Sequence, residues 1–130
     1  MKLFVPGRIC LFGEHSDWAA GYRSSHAEIS PGHAIIAGTA QGIHAEVKPH
    51  PSRFILKAVT DRGETLEPFE HPMDQEALLQ VAEAGGFFSY AAGVAYQALK
   101  HHPVAGLEIT NTLTDLPIQK GLSSSAALCV

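Results

Sequence analysis

Apolar positions along the chain fall into short runs separated by Gly, Pro and polar clusters, and their period changes from one half to the other. Leu3-Phe4-Val5 and Ile9 to Phe12 read as one extended segment bent at Pro6-Gly7, where Pro holds its predecessor extended and Gly admits a bulge. Gly13 to Pro31 is small, polar and Gly-containing, which is loop chemistry. His33 to Thr39 and Gly42 to Lys48 are rich in Ile, Ala and Val and predict two strands, with Gln41-Gly42 as the turn between them. Arg53 to Thr60 places Phe54, Leu56 and Ala58 on one face and predicts another strand, closed by a turn at Asp61-Arg62-Gly63.

Helical spacing takes over at Asp74, a good N-cap ahead of Gln75-Glu76-Ala77-Leu78-Leu79, and Gly85-Gly86 ends it. A second helix is predicted from about Phe87 to Lys100, with Phe88, Ala91, Ala92, Ala95 and Leu99 on its apolar face. His101-His102-Pro103 closes it, the histidines suiting the negative end of the helix dipole. Val104 to Leu113 predicts a strand, Thr114 to Pro117 a loop, and Gly121 to Leu128 a turn opening into a helix. The last apolar run, Ala126 to Val130, stops in mid-pattern without a C-terminal signal, so the chain is expected to be truncated.

Composition narrows the function classes. One domain is expected from 130 residues, and 45% hydrophobic with 17% charged residues argues against disorder. Nine Lys plus Arg against thirteen Asp plus Glu give a net charge of −4 with no basic face, which disfavours nucleic acid as a partner. No apolar run approaches the roughly 20 residues that span a bilayer, and the N-terminus reads as a strand, not a signal peptide. Two cysteines, Cys10 and Cys129, cannot build a disulfide framework and fit a reducing cytoplasm.

Two segments carry candidate chemistry. Pro117 to Ala127 joins a strand to a helix through Gln119-Lys120-Gly121-Leu122-Ser123-Ser124-Ser125. Gly121 lets a phosphate approach the backbone, unpaired N–H groups open the helix, and serine hydroxyls can donate to phosphate or ligate Mg²⁺. Ala126 and Ala127 keep the helix start slim. On its own the segment also suits an ordinary serine N-cap, and such caps are common. The second segment runs from Pro6 to Trp18, with Glu14, His15 and Asp17 together after a strand and Arg8 as the nearby cation. Carboxylates and an imidazole so placed can hold adjacent hydroxyls, and Arg8 can stabilise a transferring phosphoryl group. A solvated polar loop has the same composition.

Other signals are structural. Gly-x-x-x-x-Gly-Lys-[Ser/Thr] is absent, and Ala127 stands where a Gly-x-Ser-x-Gly elbow around Ser125 needs its second glycine. No histidine pair has the spacing of a zinc helix. Asp115 is read as shaping the turn before the loop, and Trp18 and Phe87-Phe88-Tyr90 as core.

Taken together, the two segments resemble signatures of one family, the GHMP kinases (galactokinase, homoserine kinase, mevalonate kinase and phosphomevalonate kinase). Pro6 to Asp17 is similar to its first motif, and Pro117 to Ala127 to its phosphate loop, Pro-x-x-x-Gly-Leu-Ser-Ser-Ser-Ala. The helix around Ser89 to Val94 resembles the one preceding the family's loop strand. The resemblance implies an α+β fold with a β-α-β arrangement like domain 2 of ribosomal protein S5, residues 1–130 forming an incomplete, truncated N-terminal kinase domain without the C-terminal one. It implies ATP- and Mg²⁺-dependent phosphorylation of a small-molecule hydroxyl. Gln119, Lys120, Gly121, Leu122, Ser123, Ser124 and Ser125 would line the ATP phosphates, Ser125 would ligate Mg²⁺, and Arg8 would sit by the transferred group. Glu14, His15 and Asp17 match the positions with which galactokinases hold their sugar.

Gly13-Glu14-His15-Ser16-Asp17-Trp18 follows the sugar-kinase pattern, whereas mevalonate kinases continue Gly-Glu-His with small apolar residues. A sugar is therefore the expected substrate, with a mevalonate-type kinase or a non-catalytic S5-like interaction module as alternatives. Trp18-Ala19 in place of Tyr-Asn, and Gln119-Lys120 in place of small residues, widen the choice to a related sugar or uronic acid. The family's catalytic aspartate and late glycine-rich motif lie beyond the phosphate loop. The 130-residue chain alone is thus expected to bind ATP weakly at best, to transfer no phosphate, and either to self-associate or to be only marginally stable.

Overall fold

A computed structural model gives the structure of the protein and describes residues 1–14, 21–30, 32–117, 122 and 124–130. Its elements are β1 (Lys2–Phe12), β2 (Ile35–Pro49), β3 (Arg53–Lys57), β4 (Phe69–Pro72), α1 (Gln75–Ala84), α2 (Ser89–His101), β5 (Leu107–Thr114) and α3 (Ser124–Cys129). The strands form one mixed sheet in the order β1-β2-β5-β3-β4. β3 and β5 are its parallel pair, and the chain between them carries β4, α1 and α2, the long crossover that parallel strands require. The expected α+β architecture is the one observed.

β3 supplies Phe54 and Leu56 to the buried side, in register with Leu107 and Ile109 of β5. Leu78 of α1 and Ala91, Ala92 and Ala95 of α2 close over them, with Phe69, Phe88 and Leu99 packed around. Alanines on α2 allow close approach of helix to sheet, and the spacing read from the sequence marks the packed face. Asp74 caps α1, its carboxylate accepting from the Ala77 N–H at 3.0 Å. The opposite side of the sheet is polar, carrying Lys2–Glu46 and Lys57–Glu108 ion pairs.

Several expectations change. The two strands predicted from 33 to 48 are one strand, β2, and Gln41-Gly42 is no turn. Gly42 lies opposite Pro6 in the middle of the ladder, and its N–H donates to the Asp115 carboxylate at 2.6 Å. Glycine within a strand marks close approach as well as turning. The strand predicted to Thr60 ends at Lys57, with an isolated bridge from Val59 to Thr65 beyond it. β4 carried too short a run to be read from the sequence. Of the two alanines expected to slim α3, Ala127 is buried and Ala126 exposed. The bend at Pro6-Gly7 is present as a register shift between Pro6 and Arg8.

Candidate functional site

Three strand ends and two helix starts meet around a cavity of about 580 Å³. Glu14 enters it from the end of β1, Ser124 and Ser125 from the start of α3, and Asn111 and Thr114 from β5. Ala58, Val59 and Thr60 follow β3 into it, and Gly86, Phe87 and Tyr90 come from the α1–α2 junction.

Glycines make this convergence possible at two places. Gly13 has φ +79°, the left-handed region that disfavours other residues, and its turn delivers Glu14 to the cavity. A Cβ there would also strike the His33 carbonyl. Gly7 is buried, and a Cβ on it would collide with the Leu116 side chain and come within 2.7 Å of Thr39 Oγ1. This absent side chain lets Leu116 and Leu122 lie against β1, where the Arg8 N–H donates to the Leu122 carbonyl at 3.1 Å. Asp115 adds a second tie, its N–H donating to Gly42 O at 3.2 Å while its carboxylate takes the Gly42 N–H. Both bonds fasten the end of β5 to Gly42 of β2, across the sheet.

The cavity therefore offers a carboxylate, hydroxyls and flat apolar surface. Phe87 and Tyr90, expected in the core, are instead half exposed and line the cavity, while Phe88 turns inward and stacks on Phe69 with ring centroids 4.9 Å apart. Gly85 and Gly86, both with positive φ, let the chain make that change of direction. Among the described residues no cluster of three His, Cys, Asp or Glu side chains is placed to hold a metal by itself. The oxygen donors Glu14, Ser124 and Ser125 do suit Mg²⁺ shared with a phosphate ligand, since that ion usually takes only one or two protein ligands.

Solved structures share this architecture. Mevalonate kinase from Methanococcus jannaschii matches over 99% of the chain with a TM-score of 0.67 and 24% identity, and a second mevalonate kinase matches equally well at 22% identity. The chain has the fold of a GHMP kinase N-terminal domain. It spans 37% of the length of each of these structures. No family model and no curated protein matches the chain.

Within that fold, the residues singled out from the sequence separate into three groups. Glu14, Ser124 and Ser125 line the cavity together. Leu122 is tied to β1 through its carbonyl, and Arg8 has an exposed side chain outside the cavity lining. His15, Asp17, Gln119, Lys120, Gly121 and Ser123 lie outside the described residues, as does Trp18. Sequence reading missed Asn111, Thr114, Thr60, Phe87 and Tyr90. The glycine pair before Phe87 is the one local signal that could have flagged an aromatic turned outward.

Proposed function

We propose that this chain is the N-terminal domain of a GHMP-type kinase that transfers a phosphoryl group from ATP to a hydroxyl of a small molecule. The observation that carries the reading is that Glu14 of the first motif and Ser124 and Ser125 of the second, from opposite ends of the sequence, line one cavity. Such a motif pair in a shared cavity goes beyond what a solvated loop and a helix cap need. It also weighs against a purely structural module of the same fold.

In this reading Gln119 to Ser125 cradle the phosphates, Ser125 contributes its hydroxyl to Mg²⁺, and Arg8 stabilises charge on the transferred group. Bound Mg²⁺ neutralises charge on the phosphate oxygens. Phe87 and Tyr90 give the flat ring of the nucleotide an apolar wall. Glu14, His15 and Asp17 accept hydrogen bonds from or donate them to the substrate hydroxyls, which favours a sugar. The mevalonate kinases among the structural neighbours support mevalonate as a second reading. Two free cysteines and the absence, among the described residues, of any helix long and apolar enough to cross a membrane accord with a cytoplasmic setting. Exposed Leu11, Phe12, Ile35 and Ile36 support self-association of the chain.

The test is a titration of ATP–Mg²⁺ into the ¹⁵N-labelled chain, followed by galactose, a uronic acid or mevalonate. Shifts at Glu14, Phe87, Ser124 and Ser125 are expected on nucleotide addition, with further shifts at Glu14 for the preferred substrate. Nucleotide shifts elsewhere, or none at these residues at millimolar ATP, would refute the reading. Ser125→Ala should abolish the Mg²⁺ dependence of binding, whereas Ser123→Ala should leave it.

A further inference from the structure

Two polar side chains sit at the floor of the cavity, and the strand geometry that puts them there is unusual. Residues three apart in a regular strand face opposite sides of the sheet. On β2, His44 and Ala45 are neighbours, yet they pair with Leu113 and Asn111 of β5, so Thr112 is an inserted residue. This bulge turns Thr112 and Leu113 outward and brings Asn111 and Thr114 to the same buried side, each 7% exposed. Asn111 Nδ2 donates to Thr114 Oγ1 at 2.7 Å. Asn111 Oδ1 is buried with no hydrogen-bond partner among the described residues.

An unpaired buried acceptor is costly, and a core built only for stability would carry an apolar residue at this position. The hydrogen bond explains what the asparagine offers in return. A hydroxyl that accepts from an amide keeps one proton to give, and Thr114 lines the cavity. We propose that Asn111 is a positioning residue: by donating to Thr114 Oγ1, it turns the Thr114 hydroxyl proton into the cavity and makes that wall a hydrogen-bond donor to an acceptor atom of the ligand. Oδ1 stays beside it as an acceptor. The pair rests on the nucleotide reading of the cavity, and the bulge at Thr112 is the backbone device that creates it.

Asn111→Leu separates this role from a structural one. It keeps the branching of the side chain and removes both the hydrogen bond and the unpaired acceptor, so Tm should hold or rise. ATP–Mg²⁺ affinity should nevertheless fall about tenfold, the size of one directed hydrogen bond to a charged group. Thr114→Val should fall by a similar factor, and the double variant should be no weaker than Thr114→Val alone, because Asn111 acts through Thr114. A lowered Tm with unchanged affinity, or additive losses, would overturn the proposal.

A ligand-free measurement keeps the pair testable by itself. The Asn111 side-chain amide protons should exchange slowly in the wild-type chain and rapidly in Thr114→Val. Unchanged exchange would overturn the proposal whatever the chain binds. If the wild-type chain binds no ATP–Mg²⁺ while exchange responds as expected, the nucleotide reading fails and the orientation of Thr114 by Asn111 is upheld.

Discussion

β3 and the far end of β1 are both short apolar strands, and they meet opposite fates. Phe54 and Leu56 are 2% and 3% exposed, covered by α1 and α2, whereas Leu11 and Phe12 are 64% and 71% exposed. The difference lies in what each strand is paired with. β3 sits inside the sheet, between β5 and β4, under two helices. β1 from Arg8 to Phe12 takes Ile35 to Gly38 of β2 as its strand partner among the described residues, beyond the point where β2 meets β5, so the two form a ribbon extending past the sheet. A two-stranded ribbon has no buried face of its own. Stability is therefore concentrated at the β3–helix end. The candidate site lies at the seam, where the ribbon, β5 and α3 converge.

The largest loss of stability is expected at Leu78, which is fully buried in the cluster that holds Phe54 and Leu56 of β3. Leu78→Ala should cost about 2–5 kcal/mol, measured by urea denaturation, because it opens a cavity in the core between sheet and helices. A cost below that of an exposed substitution would show that the core is not where stability resides.

Gly7→Ala probes the seam. Its new methyl group meets Leu116 and Thr39, so a loss of about 1–3 kcal/mol is expected from overpacking. Displacement of Leu122 should accompany it, visible as faster hydrogen exchange at the Arg8 amide. Stability lost without any change at Arg8 would detach Gly7 from the site.

On the ribbon, Leu11→Ser should leave stability within about 0.5 kcal/mol, since the side chain is already in water. The same change should shift the chain toward monomer in sedimentation equilibrium. An unaltered mass distribution would remove the ribbon as the associating surface.

The smallest effect belongs to the outer face. A hydrogen bond from Lys57, reinforced by its charge, holds the Glu108 carboxyl below the usual carboxylate range. A lowered folded-state pKa gives stability that is present above the unfolded carboxylate value and lost as pH falls through the folded one. Glu108→Gln should thus lower Tm slightly at neutral pH, less at high salt, and not at all once the pH is below both values. A larger loss in acid than at neutrality would reverse the assignment.

Some of this was written plainly in the residues. Asp74 announced α1, the alanine spacing of α2 marked its packed face, and Asp61-Arg62-Gly63 its turn, where the Gly63 N–H returns to Thr60 O at 3.0 Å. These features depend on neighbours within one or two turns of chain, which local propensity and capping decide. The serine segment and the Gly-Glu-His segment were equally visible as motifs, because the chemistry they suit needs particular residue types in a fixed local order.

What the sequence left open depended on partners far along the chain. Gly42 reads as a turn until Pro6 and Asp115 are placed beside it. Phe87 and Tyr90 read as core until two left-handed glycines turn them outward. Asn111 reads as strand and Thr114 as the start of the loop after it, so nothing local joins the two. Only pairing with β2 reveals the extra residue between them and sets both on one side. The sequence by itself determined which short segments turn, cap and coil, because those choices are local. The tertiary structure decided which of them share a cavity, because a single inserted residue in one ladder reverses the facing of everything beyond it.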